Sequence, residues 1–140
     1  MGNNIEQFDV GAMAPTSDTF EFEVFNPVTK AGTDIWITIA SRDSDEHKKI
    51  TRTQMNRRFK QMGRRMSVQL TAEENEAEAL EILVACTKSW RTGKEPSIKL
   101  SGQVLASGDA EAARTLYTKV PTIREQTEDN ISDRSNFLPR

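Results

Sequence analysis

Cysteine is almost missing from this chain: Cys86 is the one thiol in 140 residues. No intramolecular disulfide can form, and a reducing compartment is the natural setting. Histidine is as scarce, with His47 alone. A Cys–His nucleophilic pair would need these two together, yet His47 falls in a basic segment and Cys86 on the apolar face of a helix. A reactive cysteine requires an electropositive, accessible site, so Cys86 reads as structural and His47 as an ordinary surface histidine. Neither belongs to a cluster with zinc spacing. The acidic run Glu73, Glu74, Glu76 and Glu78 lacks the alternating ligands of a calcium loop. Glycine-rich phosphate loops are absent, and Thr92-Gly93-Lys94 follows a helix rather than preceding one, the wrong end for an anion. No cofactor is expected, and no enzymatic activity.

Long apolar runs are lacking too. No stretch approaches the about 18 residues of a spanning helix. The N-terminus has no basic-then-apolar order, and Glu6 stands where a myristoylation signal needs Ser or Thr. A soluble, cytoplasmic protein is the expectation. With 36% hydrophobic and 29% charged residues, there is material for one modest core. A net charge of −2 exerts no overall pull toward nucleic acid or membrane. Any electrostatic role must come from how charge is distributed.

What is present divides into a mobile arm over residues 1–17, a single domain over 18–134 and a C-terminal tail over 135–140. In "TFEFEVF", Phe20, Phe22 and Val24 alternate with Glu21 and Glu23, the period of a half-buried strand. "DIWITIAS" repeats the pattern with Ile35, Ile37 and Ile39, and the turn-rich "NPVTKAGT" between them predicts an antiparallel hairpin with a long loop. Asp43 and Glu46 make a candidate capping box for a helix that Gly63 weakens or ends. Ile50, Met55, Phe59 and Met62 form its thin apolar stripe. Thr71 and Glu74 make a second box, opening a core helix with Ala79, Ile82, Cys86 and Trp90 at helical spacing. "SIKLSGQVLAS" predicts a third strand or a small hairpin around Ser101-Gly102. Ser107 is a candidate cap for the next helix, which Pro121 ends while starting another at its first position. That last helix has Ile123 and Ile131 as its main anchors. The fold class is therefore α+β: a mainly helical domain with an N-terminal antiparallel hairpin or three-stranded sheet.

Two features call for a partner or a core. From Arg42 to Arg65 nine Lys or Arg face three acids, a net +6, with Arg57, Arg58, Lys60, Arg64 and Arg65 as a candidate basic patch. It reads as a solvated helix neutralised by the acidic segment 73–81, as a protein-binding surface, or as a nucleic-acid module. RNA binders add stacking aromatics, and only Phe59 lies nearby, so nucleic acid is disfavoured. The second feature is Phe137-Leu138 at the tail, which either packs back on the core or serves as a docking peptide.

The order of elements resembles a family. "FNPVTKAGTDIWITIASRDSDEHKK", "TKSWRTG", "IKLSG" and "LYTKVPTIREQTEDNISDRSNFL" look like the tail assembly chaperones of long-tailed bacteriophages and prophages, over residues 20 to 138. The shared marks are an Asn-Pro-x-Thr turn, a strand running into Arg-Asp-Ser, Trp-Arg-x-Gly after a core helix, a Pro-x-Ile-x-x-Gln helix and a closing Asn-Phe-Leu. The segment 42–70 matches least. The resemblance implies a non-enzymatic protein that binds the tape measure protein, keeps that long helical chain soluble and helps recruit the tail tube protein. It implies action in the host cytoplasm and absence from the mature virion, and it leaves self-association open. Trp90, Tyr117, Phe137 and Leu138 are the candidate partner contacts, since aromatic residues are enriched at interface centres. The alternatives are the basic-helix nucleic-acid module and a minor structural tail or head-completion subunit.

Overall fold

Alternation in the two N-terminal runs is realised as a sheet. In the computed structural model, which describes residues 7–62 and 70–139, strand β1 (Thr19–Phe25) pairs antiparallel with β2 (Gly32–Ala40). Phe22 sits opposite Ile37 and Phe20 opposite Ile39, with a bulge between Glu23 and Phe25. Their long connection is organised by Asn26, whose Oδ1 accepts from the Val28 and Thr29 amides at 2.9 and 3.3 Å. After β2 come α1 (Asp45–Met62), α2 (Ala72–Cys86), β3 (Thr87–Thr92), β4 (Ser97–Leu100), β5 (Gln103–Ala106), α3 (Ala110–Lys119) and α4 (Pro121–Ser132). A 3-10 turn, Arg134–Phe137, follows. The fold is α+β, with a three-stranded sheet in the order β1-β2-β3 and a separate β4-β5 hairpin.

Trp90 was expected on the core helix and lies instead on β3, opposite Ile37. Thr87 ends α2 with extended backbone, and the chain enters the sheet with no loop between. Thr87 and Thr92 are β-branched and favour that change. Lys88 and Arg91 are then strand residues, and Gly93 lies in the turn that follows. The β4–β5 turn is the expected one: Ser101 and Gly102 both have positive φ, 49° and 84°, as a two-residue hairpin of type I′ demands.

Two expected caps are also displaced. Ser44, not Asp43, caps α1, its Oγ accepting from the His47 amide at 3.2 Å. Asp43 is engaged elsewhere, with Arg134. Asp109, not Ser107, caps α3 at 3.0 Å from the Glu111 amide. Ser107 Oγ instead accepts from the Trp90 amide at 2.8 Å. The Thr71–Glu74 box forms in both directions, and Pro121 opens α4. Gly63, expected to end α1, lies outside the described residues.

The core gathers one face of the sheet (Phe22, Val24, Ile37, Ile39, Trp90) against Leu83 and Cys86 of α2, Leu116 and Tyr117 of α3, and Ile123 and Ile131 of α4. Phe137 completes it, its ring edge-on to Phe20 with centroids 6.0 Å apart. Residues 7–17 carry a 3-10 turn, Val10–Met13. Close to where they join β1, the Thr16 amide donates to the Phe137 carbonyl at 2.9 Å.

Candidate partner-binding surface

Helix α1 meets α2 through polar groups. Gln54, its buried residue, donates from Nε2 to the Glu78 carbonyl at 2.9 Å. Arg57 forks onto the two oxygens of Glu81 at 3.1 and 3.3 Å, and Arg58 pairs with Glu78. At its start, Glu46 accepts from Lys88 of β3 at 2.7 Å, and Asp43 holds Arg134 at 2.9 and 3.1 Å. These cations hold the Asp43 and Glu46 carboxyls below their usual range.

Because residues 54, 57, 58 and 61 share one side of a helix, 55, 59 and 62 fall on another. Met55, Phe59 and Met62 are 52, 60 and 40% exposed. They form a continuous apolar stripe at i, i+4 and i+7. Burying each such side chain stabilises by about 1.5–3 kcal/mol, while exposed ion pairs contribute about 0–1 kcal/mol each. An inward turn of the stripe would thus be worth more than the pairs that hold it outward, unless the stripe has another use. Lys48, Lys49, Arg52 and Lys60 stand exposed on the same helix and form no ion pair among the described residues.

The expected basic patch is therefore redistributed. Arg57 and Arg58 are engaged by α2, Lys60 is free, and Arg64 and Arg65 lie outside the described residues. Lys48, Lys49 and Arg52 take the places of the two engaged arginines. Periodicity shows which residues share a face and not which way that face turns. The acidic residues of α2 were the available signal, since they draw arginines inward.

The expected partner contacts are placed differently. Trp90 is buried, with Nε1 donating to the Leu105 carbonyl at 3.0 Å. Tyr117 is buried with its hydroxyl 2.6 Å from Thr87 Oγ1, and burial pushes its pKa up to about 12. Phe137 is buried and Leu138 half-buried. Three of these four side chains belong to the core of this chain and present nothing to a partner.

A second apolar surface is a cleft of about 410 Å³ between the start of α1, α2 and α4. Ala79, Ile82, Leu83 and Ile131 line it beneath Arg42, His47, Glu128 and Ser132. His47 is half-buried rather than a surface residue, and its burial, with Arg42 nearby, lowers its pKa from 6.5. Cys86 is fully buried, its thiol pushed up to about 11 mainly by that burial. It is no nucleophile at neutral pH.

No family model, curated protein or solved structure matches this chain. Among the described residues no group of three or more His, Cys, Asp or Glu is placed to hold a metal, and no helix is long and apolar enough to cross a membrane. Several residues behind the phage-chaperone resemblance have structural tasks within the fold. Asn26 orders a loop, Trp90 and Phe137 fill the core, Gln126 binds the backbone of Phe25, and Asn136 bonds Asn130.

Proposed function

We propose that this protein is a non-enzymatic tail assembly chaperone that binds the tape measure protein of a long-tailed phage and keeps it soluble for tail tube assembly. The observation that carries the reading is the stripe Met55, Phe59, Met62, held outward on a helix whose inner face is ion-paired. A long helical client exposes amphipathic faces before it assembles. An apolar stripe beside Lys48, Lys49, Arg52 and Lys60 suits such a face, the apolar residues taking the i, i+3, i+4 and i+7 anchors and the cations its acidic flanks. The order of packing motifs described above supports the same family.

Co-expression with the tape measure protein encoded beside it tests the reading. We expect the client to become soluble and to co-purify, and the double substitution M55E/F59E to abolish both. Unchanged client solubility with no co-purification would sink it. A nucleic-acid reading draws support from the same four cations. It predicts filter binding that falls steeply with salt and survives M55E/F59E.

A further inference from the structure

Two exposed apolar segments of this chain carry opposite charge. The first is the N-terminal arm, where Phe8, Val10 and Met13 are 63, 73 and 66% exposed. Its two charged side chains, Glu6 and Asp9, are both acidic, and no Lys or Arg occurs before Lys30. The second is the α1 stripe, with Met55, Phe59 and Met62 beside Lys48, Lys49, Arg52 and Lys60. Within one chain both stand open.

We propose that the arm of one copy docks on the α1 stripe of a second copy, and the second arm on the first stripe, in a two-fold dimer. Charge decides the pairing. Stripe against stripe would bring eight unpaired cations together, and arm against arm would gather only acids. Arm against stripe matches three apolar side chains with three and sets carboxylates beside ammonium and guanidinium groups. A two-fold axis lets the same contact occur twice and closes the assembly. Each contact is small, so the dimer lies below the size of a stable interface and dissociates on dilution. Added salt weakens it, because the flanking charges are solvent-exposed. The inference concerns this chain alone and is tested without client, so its failure leaves the chaperone reading standing.

Sedimentation velocity of the full chain, from low to high concentration at low salt, is the first measurement. We expect monomer to give way to dimer, and F8E/M13E or M55E/F59E to remain monomeric at every concentration. All four side chains are exposed, so thermal unfolding is expected to be unchanged in both variants. Contact is then read directly by mixing chains carrying Met13→Cys with chains carrying Phe59→Cys under mild oxidation. Mixed disulfide dimers are expected several-fold faster than either homodimer. A full chain that stays monomeric, its stripe held for its own arm or for another protein, overturns the proposal. So does a dimer that survives either double substitution, or mixed disulfides that form no faster than the others.

Discussion

Helices α1 and α4 are both built largely from polar residues, and they use them in opposite ways. In α4 the polar side chains complete the core. Gln126 reaches Phe25 with both ends of its amide, accepting from the backbone N–H at 3.0 Å and donating to the carbonyl at 2.9 Å. Thr127 is fully buried, with its hydroxyl donating to the Ile123 carbonyl at 2.7 Å. Arg124 bridges Glu76 of α2 and Glu128 of its own helix. The two isoleucines go in, as they would in any amphipathic helix. In α1 the polar side chains do the docking, Ile50 is half-buried, and Met55, Phe59 and Met62 are left out. A helix that turns Gln54 inward and Phe59 outward presents an apolar surface that its own fold does not cover.

The contrast can be broken most severely on the α4 side. Removing the ring that clamps the end of α4, Phe137→Ala, is expected to cost about 3–5 kcal/mol in urea unfolding, from lost burial and the cavity left against Phe20. Ile131→Ala should lose about 2–5 kcal/mol by the same route. If Phe137→Ala unfolds like the parent, the tail is not part of the core. Gln126→Ala strips both partners from Phe25 and is expected to cost about 1–3 kcal/mol. That loss should fall toward the lower end because water can reach Phe25.

Acid probes the start of α1. His47 titrates lower in the fold than its ordinary 6.5, so its contribution is complete above about 6.5 and is lost as pH falls below that value. Asp43 and Glu46 have folded pKa values below 3.8 and 4.5. Their stabilisation is present above those values and disappears as pH falls through the folded ones. Amide exchange in the first turns of α1 should therefore accelerate in two stages, once below 6.5 and again below about 4. Exchange indifferent to pH across both ranges, after correction for intrinsic rates, would contradict the placement of these groups. The smallest effect sharpens the comparison from the other side. Met55→Ala and Phe59→Ala should change stability by within about 0.5 kcal/mol, while weakening both client recovery and self-association.

Strands and caps differed in how far the sequence disclosed them. Strand alternation was legible because Phe22, Val24, Ile37 and Ile39 form an unbroken period-two pattern bounded by turn residues. The end of α2 was not, because Trp90 lies four residues after Cys86 and so continues the helical spacing into a strand that follows without a loop. Ser107 and Asp109 are both good caps two residues apart, and only the demand of the Trp90 amide separates them. For the candidate surface, the sequence disclosed the stripe but not its direction, which depends on how Glu78 and Glu81 draw Arg57 and Arg58 across to α2. Trp90, Tyr117 and Phe137 were legible as large apolar residues. Their burial follows from tertiary packing.

The Gln126 amide has a consequence for the sheet as a whole. A three-stranded sheet has two open margins, and an unguarded margin invites another chain to add a strand. At one margin the amide of Gln126 takes the place of a neighbouring backbone beside Phe25. At the other, the Ser107 hydroxyl occupies the Trp90 N–H. Both margins are thus interrupted by single side chains rather than by further strands. At these two points the sheet's own backbone offers no template on which another chain could add a strand.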